Sequence, residues 1–245
     1  MCLRVNEAIL ISDCHFNRQR LEFLEFLNLI ESKKLKTQNL FLLGDIFDFL
    51  SQEVDYSIEY NRDVIEKIDN LSKEINIYYL EGNHDFHIKR LFPNAKVFPR
   101  GKQPILLEIN NKKIHISHGD LSVGISYEFF TVLLRNRAVL KTIATLDKIF
   151  FNKKIVKYVF DFLSKKDICK KYETFSLFLK KRVAFYQKIK KVDFIIEGHF
   201  HQGKNFSNSE VNYINIPSFA CEKSFFIIKS NQNGFALSKS KLKEL

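Results

Sequence analysis

Apolar residues in this chain gather into short runs that stop abruptly at a carboxylate, an amide or a histidine. EAILISD (residues 7–13) is the first, NLFLLGD (39–45) the second and INIYYLEGNHD (75–85) the third. Runs this short, apolar at successive positions and bounded by polar turns, predict strands buried on both faces. Between them the period changes. Leu21, Leu24, Leu27 and Ile30 recur at helical spacing within residues 18–35, and Ile58, Val64, Ile65, Ile68 and Leu71 do so within 57–72. The β-α-β-α-β order predicts a parallel sheet covered by helices.

Farther along, ILLEINNKKIHISHGD (105–120) divides around Asn110-Asn111, a hairpin signal. VDFIIEGHFH (192–201) is another buried strand with a polar end, and NFSNSEVNYINI and FFIIKSNQNGFALS read as hairpins, so the sheet is mixed. Past residue 222 the tail suggests only that it completes a second sheet. Residues 126–190 break the scheme: they contain no Gly or Pro and alternate apolar with basic residues. They predict a helical insertion between two core strands, standing over the strand ends as a lid. The alternative is helices beside the sheet with a solvated basic face.

With 245 residues, 45% of them hydrophobic, the chain can bury one substantial core. A single domain spanning 1–245, with 126–190 inserted in it, is expected. The N-terminal apolar run is too short for a signal peptide, and no stretch approaches the roughly 20 apolar residues that cross a bilayer. The formal net charge is +11, and residues 121–190 carry all of it, with 16 Lys and Arg against 5 Asp and Glu. Such a local excess implies an anionic partner: a membrane surface, a nucleotide or a nucleic acid. The same segment holds 13 aromatics, which argues against nucleic acid. Cys2, Cys14, Cys169 and Cys221 are far apart and form no CxxC pair, so reduced, mostly buried thiols in a reducing compartment are expected.

The chemistry sits at the strand ends: Asp13-Cys14-His15, Gly44-Asp45, Gly82-Asn83-His84-Asp85, His118-Gly119-Asp120 and Gly198-His199-Phe200-His201. Carboxylate, imidazole and amide oxygen together suit Mn, Fe, Zn or Mg. The ligands exceed what one ion needs and fit two with a carboxylate between them. One such cluster alone is common; five in order, each ending a predicted strand, are a pattern.

This order resembles the calcineurin-like metallophosphoesterases, whose signature runs DxH, GDxxD, GNHD, GH, GHxH. Asp13 to His15, Gly44 to Asp48, Gly82 to Asp85, His118-Gly119 and Gly198 to His201 match all five blocks. The resemblance implies an α/β fold, a two-sheet sandwich flanked by helices (αββα), and two divalent ions, with Mn2+ favoured. It implies Asp13, His15 and His201 at one ion, Asn83, His118 and His199 at the other, and Asp45 bridging. His84 would contact the substrate phosphate, Asp85 would orient it, and Asp48 would support the loop. Cys14, between two ligands on an alternating strand, should point into the core, and His87 should be an ordinary loop residue. A scaffold that had lost its metals should show damaged blocks, and all five are intact.

The insertion resembles that of the UDP-2,3-diacylglucosamine diphosphatase branch, which acts in lipid A synthesis on an acylated UDP-sugar. Ser164, Lys165 and Lys171 match part of that branch's substrate-contacting run, and on a helix 164, 168 and 171 share a face. With Asn83, His84 and His199 they are the expected substrate contacts. The chain departs from the best-known form of the branch in having His84 where GNRD has Arg. The resemblance implies a cytoplasmic enzyme, peripheral to the inner face of the membrane and held by the greasy, basic insertion. A phosphodiesterase or phosphatase acting on nucleotides or nucleic acid is the alternative.

Overall fold

The structure, a computed structural model, describes residues 2–171, 173, 175–207, 211–232 and 234–244. Two six-stranded sheets stack on one another. One runs β12 (Gly234–Lys241), β11 (Ser224–Asn231), β2 (Glu7–Ile11), β3 (Asn39–Leu42), β4 (Asn76–Leu80) and β5 (Lys96–Phe98). From β2 to β5 the pairing is parallel, and β11 pairs antiparallel with both β2 and β12. The other sheet runs β1 (Cys2–Arg4), β6 (Ile105–Ile109), β7 (Lys112–Ser117), β8 (Phe194–Glu197), β10 (Asn212–Asn215) and β9 (Lys204–Ser207). The tail therefore adds two strands beside β2. The predicted turn between β9 and β10, residues 208–210, lies outside the described residues.

Side-chain alternation builds the layers. Ile9, Ile11, Leu40, Leu42, Ile77 and Tyr79 face one way, against Phe23, Phe26 and Leu27 of α1 (Glu22–Glu31) and Val64 and Ile68 of α3 (Arg62–Leu71). Ala8, Leu10, Phe41, Tyr78 and Leu80 face the other way and meet Leu107, Ile114, Ile116 and Ile196 of the second sheet. That sheet's outer face packs Ile195 and Tyr213 against Phe175, Leu179, Val183 and Tyr186 of α7 (Phe175–Ile189). The order helix, sheet, sheet, helix is the predicted sandwich.

Two predicted boundaries move. The helix expected over 57–72 is two, α2 (Asp55–Tyr60) and α3, broken at Asn61. Its side-chain amide donates to the carbonyls of Ser57 (2.8 Å) and Phe49 (3.2 Å), competing with the helical ladder. The predicted insertion, 126–190, also divides. Its last helix, α7, is a core layer, whereas α4 (Ile125–Leu134), α5 (Arg137–Phe150) and α6 (Lys154–Lys165) stand apart from the sheets. Of these, α5 and α6 rest on α2: Phe160 packs against Tyr56 and Tyr60, and Lys148 and Lys153 pair with Asp55 and Glu59, whereas α4 is tied through Glu128 to Arg100. Much of their apolar surface stays open, with Ile125 91% exposed, Phe129 74% and Phe150 70%. No helix among the described residues is long and apolar enough to cross a membrane.

Candidate metal centre

The loops leaving β2, β3, β4, β7 and β8 meet at the carboxyl ends of the strands, where open α/β sheets place ligand sites. Asp13, His15, Asp45, His199 and His201 all adopt left-handed backbones, with φ between 43° and 62°. Non-glycine residues are uncommon there, and each costs on the order of 1–3 kcal/mol unless its surroundings hold it. Here the neighbouring loop does so. Asp13 N donates to Gly44 O (3.0 Å), His15 N to Asp45 O (3.0 Å) and Gly198 N to His118 O (2.8 Å). Glycine allows the closest approaches: a β-carbon on Gly82 would lie 2.2 Å from Asp45 Oδ1, and one on Gly198 2.5 Å from Asp13 Oδ2.

Two clusters result. Asp13, His15 and His201 form one, and Asp45, His118 and His199 the other; within each, the candidate ligand atoms lie within 4.8 Å of one another. Asn83 joins the second through its Oδ1, 3.1 Å from His118 Nε2. Burial opposes ionisation of Asp45, yet the imidazoles of His118, His84, His15 and His199 hold its carboxyl far below the usual range. Of those rings, His15 belongs to the first cluster, His118 and His199 to the second, and His84 to neither. Burial likewise works against Asp13, and His201 outweighs it, bringing the carboxyl down to about 2. His118 would be depressed by burial, but Asp45, Asp13 and Asp120 carry it up to about 9. Burial, then the neighbouring His118, push His199 down to about 3.

The residues fit divalent ions. His118 and His201 each turn Nδ1 to a backbone carbonyl, Leu43 O (2.8 Å) and Ile168 O (2.6 Å), which leaves Nε2 toward the cluster. Buried His15 Nε2 has no hydrogen-bond partner among the described residues, and such an orphaned imidazole nitrogen calls for a ligand. The mixed carboxylate, imidazole and amide set suits Mn, Fe, Zn or Mg.

The supporting residues are less as expected. Asp48 does brace the site: its carboxylate takes Arg20 Nη2 (2.5 Å) and Asn17 Nδ2 (2.5 Å) and lies 3.4 Å from His15 Nδ1. Asp85 does not orient His84. Its oxygens accept from the backbone of Asp45, Gly82 and Ile46 and from Tyr79 Oη, at 2.6–3.0 Å. A fully buried carboxylate satisfied by four donors is a tie between loops. His84 is oriented instead by the Asp48 carbonyl, 2.6 Å from its Nδ1. Its own N–H donates to Asp45 Oδ1 (2.8 Å). Cys14 is buried, as expected. His87 lies against Phe86, with ring centroids 5.3 Å apart.

A cavity of about 610 Å3 opens from this centre beneath α4–α6. Asn83, His84, Tyr127 and Arg135 line its polar end, and Phe130, Leu134, Ile143, Val159 and Leu163 line much of the rest, with Thr131, Asp147 and Lys166 the polar residues there. Ser164, Lys165 and Lys171 do not line it. Helix α6 ends at Lys165, so 164, 168 and 171 share no helix face. Ser164 Oγ donates to Asp161 O, Lys165 pairs with Asp161 (2.7 Å), and Lys171 pairs with Glu222 (3.0 Å). Reduced thiols are corrected as well. Cys169 and Cys221 form a disulfide, and Cys2 is exposed. The bridge ties the segment after α6, whose Ile168 carbonyl holds His201, to α8 (Phe219–Glu222). Beside α8, Ser218 Oγ and Ala220 N donate to Asp13 O. The segment YEFFTVLL from residue 127, which the sequence offers as a lining for an acyl groove, does line the cavity through Tyr127, Phe130, Thr131 and Leu134, whereas Arg135 and the residues around α8 are parts of the site that the sequence does not reveal. Arg135 was hidden among the basic residues of the insertion.

The curated relatives that the chain resembles are named UDP-2,3-diacylglucosamine hydrolase. One from Histophilus somni (strain 129Pt) is 30% identical over 118 residues, 47% of this chain and 50% of that protein. One from Aliivibrio fischeri (strain MJ11) is 24% identical over 200 residues, 79% of this chain and 81% of that protein. The chain spans about half the length of the first of these relatives, such as that of Coxiella burnetii (strain Dugway 5J108-111) at 48%. Among solved structures, a dimetal phosphatase from Danio rerio shares the fold at a TM-score of 0.52, with 14% identity over 96% of each chain. The family model for calcineurin-like phosphoesterase matches residues 8–203, a span that holds both clusters. The chain belongs to the calcineurin-like phosphoesterases.

Proposed function

We propose that this enzyme cleaves the diphosphate of UDP-2,3-diacylglucosamine, releasing UMP and 2,3-diacylglucosamine 1-phosphate for lipid A synthesis. The observation that carries this reading is the cavity. It runs from Asn83 and His84 at the metal centre into an apolar chamber under α4–α6, as a phosphorylated head with acyl chains requires. The names of the relatives agree with it. Asp13, His15 and His201 hold one divalent ion and Asn83, His118 and His199 the other, with Asp45 shared; Mn2+ is the preferred metal. Bound ions of this kind supply positive charge to the phosphoryl oxygens and make water nucleophilic near neutral pH. His84, with Nδ1–H given to the Asp48 carbonyl, delivers a proton from Nε2 to the leaving oxygen when its ring is charged. Asn83 and His199 fix the reacting phosphoryl.

The exposed apolar residues of α4–α6, with Lys141, Lys154 and Lys157 among them, support peripheral attachment to an anionic membrane. Helices α4–α6 then act as a lid between membrane and centre. The inner face of the cell membrane remains the proposed location, although the disulfide removes the thiol argument for a reducing compartment.

UMP release with Mn2+ tests the reading. The diacylated substrate should exceed UDP-N-acetylglucosamine in kcat/KM by at least about a hundredfold, since each buried acyl methylene contributes about 0.8 kcal/mol. Better turnover of bis(p-nitrophenyl) phosphate than of the diacylated substrate would overturn it in favour of a general phosphodiesterase.

A further inference from the structure

Arg135 follows the last turn of α4 and turns its side chain inward, 12% exposed, to the polar end of the cavity. One Nη donates to the Gly82 carbonyl, in the loop that carries Asn83 and His84, and the guanidinium lies 5.1 Å from the Phe86 ring centre. A guanidinium carries five N–H donors. Most of these are not engaged by strong partners: the nearest carboxylate contact, Asp120 Oδ2 at 3.9 Å, already accepts from Arg100 Nε at 2.8 Å. Buried Nε has no hydrogen-bond partner among the described residues. Across the same end of the cavity, buried Tyr127 Oη makes only a weak interaction with the Thr131 side chain and no close hydrogen bond among the described residues, while the Tyr127 ring packs 5.8 Å from that of His199.

Buried donors left open beside a reaction centre are costly unless a ligand completes them. Neither residue belongs to the two ligand clusters, so their partner is a group next to the reacting phosphoryl. In a diphosphate, the second phosphoryl is attached to the first through one bridging oxygen. It offers the planar pair of anionic oxygens that a guanidinium fork receives best. A simple phosphodiester has no such group.

We infer that Arg135, assisted by Tyr127, binds the non-reacting phosphoryl of a diphosphate and so selects diphosphates over monophosphate diesters. This rests on the diphosphatase reading above and adds the residue that enforces it. Arg135 acts as a specificity-determining residue; the bond-breaking step belongs to the metal centre and His84.

The test compares kcat/KM for UDP-2,3-diacylglucosamine and for bis(p-nitrophenyl) phosphate in the wild type, Arg135→Met, Arg135→Lys and Tyr127→Phe. Arg135→Met should lower the diphosphate value at least about tenfold further than the diester value, the range expected for losing a charge-assisted pair. Arg135→Lys keeps the charge but not the fork and should fall between, and Tyr127→Phe should shift the ratio about threefold. Equal losses on both substrates would mean that Arg135 only clamps the Gly82 loop, and would overturn the inference. Should Arg135→Met fail to fold, an unchanged ratio in Arg135→Lys and Tyr127→Phe would overturn it as well. A wild type that cleaves the diester and no diphosphate would instead refute the functional reading, and this inference with it. A wild type that prefers the diphosphate, with unchanged ratios in the variants, refutes the role of Arg135 alone.

Discussion

The metal centre and the three helices above it are held in opposite ways. At the centre, nearly every polar group is buried and tied from a second loop: Asp85 joins three backbone amides, and Asp13 is held by Ser12, His199 and the residues beside α8. Helices α5 and α6 rest on α2 through one buried aromatic, Phe160, and pairs at the surface, such as Lys148 with Asp55, and α4 is held at its two ends by Glu128 with Arg100 and Arg135 with the Gly82 carbonyl. Exposed ion pairs contribute about 0–1 kcal/mol each. One region is over-determined so that ligands keep their geometry; the other is lightly held and leaves its apolar side open. The first suits chemistry, the second the entry of a large amphiphile.

The sharpest test of that contrast is Asp45→Asn. A neutral amide between four imidazoles is a poor shared ligand, so both ions should weaken together. Activity should fall more than about a hundredfold, beyond the 10- to 100-fold typical of groups that only support ligands. Metal content by elemental analysis checks it. Loss of one ion with the other retained would show that the two clusters are not joined through Asp45.

A smaller effect is expected from cutting the tether between the regions. The disulfide closes a sequence separation of 52 residues. Chain entropy sets the cost of losing it at up to about 4 kcal/mol. Cys169→Ser with Cys221→Ser should lower the urea midpoint accordingly. It should also weaken the Asp13, His15 and His201 cluster more than the other, because the Ile168 carbonyl and α8 act on that cluster. Unequal metal affinities by titration calorimetry would bear this out; equal ones would mean that the bridge serves stability alone.

The contrast also explains what could be read in the sequence. Strands β2, β3 and β4 are buried on both faces, so their apolar runs end sharply where polar ligands begin, and all five blocks were visible. The role of Asp85 differs from the one the family resemblance implies because the turn aims its carboxylate at backbone amides and Tyr79 and away from the His84 ring. Helix α7 was merged with the insertion because its Phe and Lys content matches that of α4–α6; only packing on Ile195 and Tyr213 separates them. The end of α6 at Lys165 carries no Gly or Pro, and the Cys169–Cys221 pair joins two distant elements. Such contacts are set by tertiary structure and leave no local period.

Inside the cavity the expected effect is narrower. Ala144 lines it from α5, and Ala144→Phe fills part of the space that the proposed function assigns to acyl chains. Turnover of the diacylated substrate should drop about tenfold relative to that of a short soluble diester, the scale of losing burial for one or two methylenes. An unchanged ratio of the two would place the acyl chains elsewhere.

The smallest effect on folding belongs to the open face. Phe129 and Phe150 are 74% and 70% exposed, so replacing both with Ser removes little buried contact. Stability should change by no more than about 0.5 kcal/mol for each, as for other surface substitutions. Binding to vesicles containing anionic lipid should nevertheless fall, because inserted aromatics contribute through the apolar area they bury in the interface. Co-sedimentation beside urea melts separates the two quantities. A large loss of stability with vesicle binding intact would show that the helices pack more tightly than their exposure indicates. A loss confined to binding would mean that light anchoring of α4–α6 serves contact with the membrane.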